Sequence, residues 1–102
     1  MIMFVIKWYV IPSTKDKYLE WTKSIIPRTL KVPGVKEFRA YRAAIGDTQA
    51  VVTYEFENMA DFASWHEQCF DMFQETYDLC ANVTAELWGP SPVVPKPIRP
   101  EG

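Results

Sequence analysis

Two periods of apolar and polar residues run along this chain, and the longest unbroken one spans Asn58 to Ala81. Set at about 100° per residue, Met59, Phe62, His66, Cys69, Phe70, Phe73, Tyr77 and Cys80 fall within one arc. Glu67, Gln68, Asp71, Gln74, Glu75 and Asp78 fall opposite, and a second ridge of Trp65, Met72 and Leu79 repeats along the flank. The pattern predicts a helix capped by Asn58, with Asp61 in its first turn and Asn82 at its end. His66, the only histidine, is expected near the middle of the buried arc.

The other period is two. Ile2 to Ile11 reads as a strand with Ile2, Phe4, Ile6, Trp8 and Val10 on one side. Met3, Val5, Tyr9 and Ile11 lie on the other, broken only by Lys7. A strand apolar on both sides is central and covered on both sides. Pro12 ends it, and Ser13 or Thr14 is expected to cap a helix running to about Leu30. Its inner face would be Tyr18, Leu19, Trp21, Ile25, Ile26 and Leu30, and Pro33-Gly34 stops it.

Val35 to Ala44 and Gln49 to Glu57 read as two further strands joined by a turn at Ile45-Gly46-Asp47-Thr48. With Gly46 and Asp47 as a two-residue loop, Arg39 opposes Tyr54, Tyr41 opposes Val52 and Glu37 opposes Phe56. A slip of one residue would exchange the faces. Val83 to Trp88 is a fourth, shorter strand.

The order β-α-β-β-α-β, with right-handed crossovers, predicts an α+β ferredoxin-like sandwich: a four-stranded antiparallel sheet, order 4-1-3-2, with both helices on one face. The folded domain is expected over 1–88. Residues 89–102 hold five of the eight prolines and read as an extended arm along this domain or a partner subunit.

Composition narrows the function. The 102 residues carry a net charge of −2 without a charge run, so no footprint for nucleic acid or anionic lipid is present. Cys69 and Cys80, on one predicted helix about 16 Å apart at about 1.5 Å per residue, cannot pair internally. Free buried thiols, no metal-ligand spacing, no leader-like N-terminus and no membrane-length run lead us to expect a cytoplasmic protein. Aromatics make up 15%, with four Trp, enough to line a cavity or an interface.

The opening strand, Pro33-Gly34-Val35, and the run from Glu55 through Asn58, Phe62 and Trp65 to His66 resemble the dimeric α/β-barrel superfamily. That group includes antibiotic-biosynthesis monooxygenase-like, stress-responsive barrel and NIPSNAP-like proteins. The resemblance covers roughly residues 2 to 88. It implies a homodimer paired through the helix-free sheet face, with ligands entering between sheet and helices. Heme-degrading members carry an Asn on the first strand, a Trp on the second helix and a later His. Here Trp65 matches, but the first strand has no Asn and Glu75 stands where the His belongs, so heme degradation is not expected.

Among residues able to do chemistry, His66 is the candidate general base, the alternative being a neutral core histidine. Arg39 and Tyr54, with Tyr41, form a candidate cluster for an enolate, phenolate or carboxylate, or else a packing contact. Trp65, Phe73 and Trp8 are candidate walls of an aromatic pocket. The chain lacks a nucleophile elbow, a phosphate loop and a dinucleotide fingerprint. Two readings stand. One is a cofactor-independent monooxygenase-like enzyme acting on a small aromatic or enolic substrate. The other is a non-catalytic dimer that binds a small apolar or aromatic ligand or is purely structural.

Overall fold

A computed structural model describes residues 1–46 and 49–101. Strand β1 (Ile2–Val10) leads through a 3-10 turn (Pro12–Thr14) into helix α1 (Lys15–Lys31). Strands β2 (Val35–Arg42) and β3 (Ala50–Phe56) follow, then helix α2 (Met59–Leu79) and strand β4 (Cys80–Trp88). The sheet is antiparallel in the order β2-β3-β1-β4, as the sequence predicts, with β1 in the middle. Residues 89–101 form no helix or strand. They are exposed throughout, so the arm does not bury itself on this domain.

Local chemistry explains the boundaries. Asn58 caps α2 by accepting the Asp61 amide at 2.9 Å, which satisfies one of the free N–H groups of the first turn. At α1 the expected side-chain cap is absent; Thr14 Oγ1 instead bonds the carbonyls of Ile11 and Leu79. Gly34 adopts φ +127°, and a Cβ there would lie 3.2 Å from the Asp61 carbonyl oxygen. Only glycine lets the chain enter β2 so close to α2. Helix α2 ends three residues before Asn82, and Cys80 already belongs to β4. Asn82, at φ 53°, falls where the β1–β4 ladder shifts between Lys7 and Tyr9.

The β2–β3 register differs by one residue from the expected pairing. Asp47 and Thr48 of the anticipated turn lie outside the described residues, while Gly46 has the positive φ foreseen for it. Beyond the turn, Arg42 opposes Ala50, Ala40 opposes Val52, Arg39 opposes Thr53 and Phe38 opposes Tyr54. The slip puts Phe38 against the Tyr54 ring, 5.0 Å away, under the helices. Glu37 and Arg39 move to the helix-free face. The expected register would have forced both charges beneath the helices, where desolvation disfavours them.

Helix α2 is rotated from the anticipated arc. The flanking ridge turns inward: Trp65 is fully buried and Met72 and Leu79 pack against the core, beside Cys69 of the anticipated arc, also fully buried, and Thr76, buried. Met59, Phe70 and Tyr77 are more than half exposed. The rotation gives Trp65 full burial and turns Glu75 toward α1, where it takes a two-pronged ion pair from Arg28 at 3.1 and 2.8 Å. On α1, Leu19 and Leu30 are exposed, and Thr29 is fully buried in their place.

The helix-free face is partly covered by its own side chains. Val5 is fully buried there, although no helix lies over it. Lys7 leans along β4 to reach Glu86 at 3.0 Å and the Trp88 ring at 5.7 Å, crossing the level where Val5 pairs with Glu86. The methylene stem of a lysine is well suited to such cover.

Candidate functional site

The two helices leave two separate spaces above the sheet. Under α2, a cavity of about 240 Å³ is bounded by Phe4 and Ile6 of β1, Val83 and Ala85 of β4, and His66, Phe73, Gln74 and Tyr77 of α2. Under α1, a cavity of about 180 Å³ is bounded by Trp8, Tyr18, Trp21, Ile25, Phe38 and Tyr54. Trp65 lines neither, but it packs against residues of both. Its ring packs on Phe4 and Phe73 on one side and at 4.6 Å on Tyr54 on the other.

A missing proton fixes the position of this indole. Thr29 lies four residues before Pro33, which has no N–H to offer its carbonyl. Trp65 Nε1 supplies the donor, bonding Thr29 O at 3.0 Å. Thr29 Oγ1 in turn bonds Ile26 O at 2.9 Å and pairs with the Tyr54 hydroxyl at 3.1 Å. Burial pushes the Tyr54 phenol up to about 12, so it stays protonated at neutral pH. Sequence reasoning missed Thr29; the signal available for it was Pro33 at four-residue spacing.

His66 lines the α2 cavity rather than the centre of the core. Its imidazole stacks on Phe73 at 5.7 Å and 19°, tilts against Phe62 at 5.3 Å, and meets the edge of Phe4 at 5.5 Å. Among the described residues, neither ring nitrogen has a hydrogen-bond or ion-pair partner. Three rings therefore fix the imidazole while both nitrogens remain available. The cavity's other polar groups, Gln74, Thr76 and Tyr77, come from α2 itself; the sheet contributes only apolar side chains.

The residues singled out from the sequence do not form one site. His66 and Phe73 share the α2 cavity. Tyr54 and Trp8 line the α1 cavity, and Tyr41 borders it. Trp65 lines neither cavity but packs on Tyr54 and Phe73, which do. Arg39 is on the opposite side of the sheet, where it contacts Glu37 and Tyr41, and these hold its guanidinium above its ordinary range. The slipped register therefore separates Arg39 from Tyr54, and neither reaches the His66 cavity. Burial pushes the Cys69 and Cys80 thiols to about 11, so neither is an activated nucleophile. Among the described residues, no group of His, Cys, Asp and Glu is arranged to hold a metal ion. No helix among them is long and apolar enough to cross a membrane.

The fold has many known relatives in three dimensions. The At3g17210 protein of Arabidopsis thaliana superposes with a TM-score of 0.74 at 12% identity, over 89% of this chain and 96% of that one. A solved antibiotic biosynthesis monooxygenase gives 0.71 at 14% identity, over 90% of this chain and 100% of its own. Rv0793 of Mycobacterium tuberculosis gives 0.71 at 12%, over 88% and 94%. At these identities the likeness establishes the ferredoxin-like, antibiotic biosynthesis monooxygenase-like fold. No curated protein matches the chain. Residues 1–79 match the family model described as a domain of unknown function, DUF4286, and the chain belongs to that family.

Proposed function

We propose that this protein binds a compact phenolic or enolic molecule in the α2 cavity and that His66 removes its acidic proton. The observation that carries this reading is an imidazole clamped by three aromatic rings, with both nitrogens unpartnered, at the wall of a ring-sized apolar cavity. A flat ring would continue the Phe73–His66 stack, and the anion left behind would find donors in the Gln74 amide and the Tyr77 hydroxyl. Those two groups replace Arg39 and Tyr54 in the anion-stabilising role. In an enzyme similar to the cofactor-independent monooxygenases, molecular oxygen would then react directly with the carbanion form of the bound anion.

A second, non-catalytic reading is favoured by the sheet, which offers this cavity no polar side chain at all. The two readings separate in one titration. Para-nitrophenol should bind saturably to the wild type and show the phenolate absorption band below the pH at which it appears free in solution. His66→Gln should keep the binding and lose the bound phenolate. An identical phenolate fraction in both proteins would remove His66 as the base. Oxygen uptake with naphthohydroquinone, sensitive to the same substitution, would select the enzyme over the binder.

We further propose that two copies pair through the helix-free face in the cytoplasm. Trp88 and Tyr41 are about half exposed on that face, which Met3, Tyr9 and Val51 share. Trp88→Glu with Tyr41→Glu should convert a sedimenting dimer to a monomer; a wild type that sediments as a monomer at micromolar concentration would end this proposal.

A further inference from the structure

The α1 cavity plays no part in the His66 reading, yet it has a mouth of distinct chemistry. Tyr18, Tyr41 and Ala50, which border the inner space, also border an open cleft of about 490 Å³ at the end of the sheet. The two spaces therefore adjoin. The inner one is walled by Trp8, Trp21, Ile25, Phe38 and Tyr54 and is almost wholly apolar. Among the described residues, the cleft is lined by Lys15 and Arg42 and by no carboxylate.

The donors in this mouth are unspent. Among the described residues, neither Lys15 nor Arg42 has an ion pair. Arg42 is on the helix side because of the one-residue slip that also placed Phe38 and Ala40 there. Gln49 accepts the Val10 amide through Oε1 at 2.7 Å, which leaves its NH₂ group free to donate. Tyr18 accepts from Trp8 Nε1 at 3.1 Å, so its own O–H proton remains available where the cavity meets the cleft. A hydrophobic chamber thus adjoins a cleft with two cations, an amide and a phenol, all able to donate.

We propose that chamber and cleft together form one binding site for an arylalkanoate, its ring under α1 and its carboxylate at Lys15 and Arg42. Size selects the ring: a cavity of roughly 150 Å³ holds benzene, and the chamber of about 180 Å³ is only slightly larger. Charge selects the head group. Two cations with no carboxylate among the described lining residues favour an anion, and the planar fork of Arg42 fits a carboxylate in two-pronged fashion. Because both cations are solvent-exposed, ring burial supplies most of the affinity, and the ionic part weakens with salt. This site and the His66 cavity have no lining residue in common.

Calorimetry and tryptophan fluorescence on the full chain test this with three probes: phenylpropionate, its neutral analogue phenylpropanol, and ringless propionate. Phenylpropionate should bind saturably at one site and perturb the emission of Trp8 and Trp21, which line the chamber. Phenylpropanol should bind about tenfold more weakly and propionate not at all. Lys15→Gln combined with Arg42→Gln, both at exposed positions, should bring phenylpropionate down to the affinity of the alcohol. Ala40→Leu, which intrudes on the chamber, should weaken acid and alcohol alike, and His66→Gln should change neither. No saturable binding, equal affinity for acid and alcohol, or loss on His66→Gln would each overturn the proposal. Should Ala40→Leu fail to fold, the charge-neutral pair and His66→Gln still decide it.

Discussion

Replacing Tyr54 by Phe tests whether the buried Thr29–Tyr54–Trp65 assembly shapes the pH dependence of stability. Tyr54 is 3% exposed, and burial raises its phenol from 10.0 to about 12. The sign follows from which state keeps the proton. Between these values the unfolded chain has released it while the folded chain still holds it, so stability falls as pH rises. The loss attributable to Tyr54 is about 1.4 kcal/mol at pH 11 and approaches about 2.7 kcal/mol above pH 12. At pH 8 the hydroxyl is an asset instead: Tyr54→Phe removes its 3.1 Å bond to Thr29, at a cost of about 1 kcal/mol. Thr29 Oγ1 keeps its bond to Ile26 O, so it is not orphaned. The wild type should therefore be the more stable protein at pH 8, and the two stabilities should meet near pH 11. Cys69 and Cys80, raised from 9.0 to about 11, also lower stability with rising pH, but they are common to both proteins and cancel in the difference. Urea unfolding followed by circular dichroism, under reducing conditions from pH 8 to 11, measures the gap. A gap that stays constant over this range would refute the reasoning, because Tyr54 would then ionise equally easily folded and unfolded.

Three other substitutions probe the same frame. Trp65→Phe removes the donor that satisfies Thr29 O and leaves a void beside Tyr54 and Phe73; urea unfolding should show a loss of about 2–4 kcal/mol, and a loss under 1 kcal/mol would mean the site collapses freely. Gly34→Ala forces a side chain into the positive-φ region and to 3.2 Å from Asp61 O, so the thermal midpoint should drop by the equivalent of about 1–3 kcal/mol, whereas an unchanged midpoint would show that β2 can shift away from α2. Arg28 holds the Glu75 carboxyl below the usual carboxylate range, so this ion pair contributes stability above the unfolded carboxylate pKa and loses it as pH falls through the depressed value. Both groups are over a third exposed, so the difference between wild type and Glu75→Gln should be only a few tenths of a kcal/mol at pH 7, and it should vanish in acid or high salt.

The elements themselves were legible because each carries its own local signal. Asn58 with Asp61, the doubly apolar run from Ile2, the Pro33-Gly34 stop and the proline cluster after Gly89 act within a few residues of where they stand. From element order alone the sheet order followed, since right-handed crossovers leave few alternatives. What the chain concealed was rotation about each element's long axis. Helix α2 has more apolar surface than one sheet can bury, so periodicity defines a wide arc without marking its centre. The centre is set by Trp65, whose full burial comes with a hydrogen bond to Thr29 O, 36 residues away on another helix.

The candidate site was legible only to the extent that it depends on a single element. His66 and Phe73 are seven residues apart on α2, so helical spacing brings them together whatever the rest of the fold does, and both line one cavity. Arg39 and Tyr54 depended instead on a hairpin register, where one residue of slip carries a side chain to the other side of the sheet. Charge decided the slip. Phe38 gains burial beneath the helices, while Arg39 and Glu37 retain water and each other. The same displacement brings Arg42 round to the helix side, beside Lys15, at the mouth of the chamber under α1. A residue that had looked like part of an unremarkable strand end thereby becomes half of a paired cationic entrance, and it does so for the same physical reason that takes Arg39 out of the expected cluster.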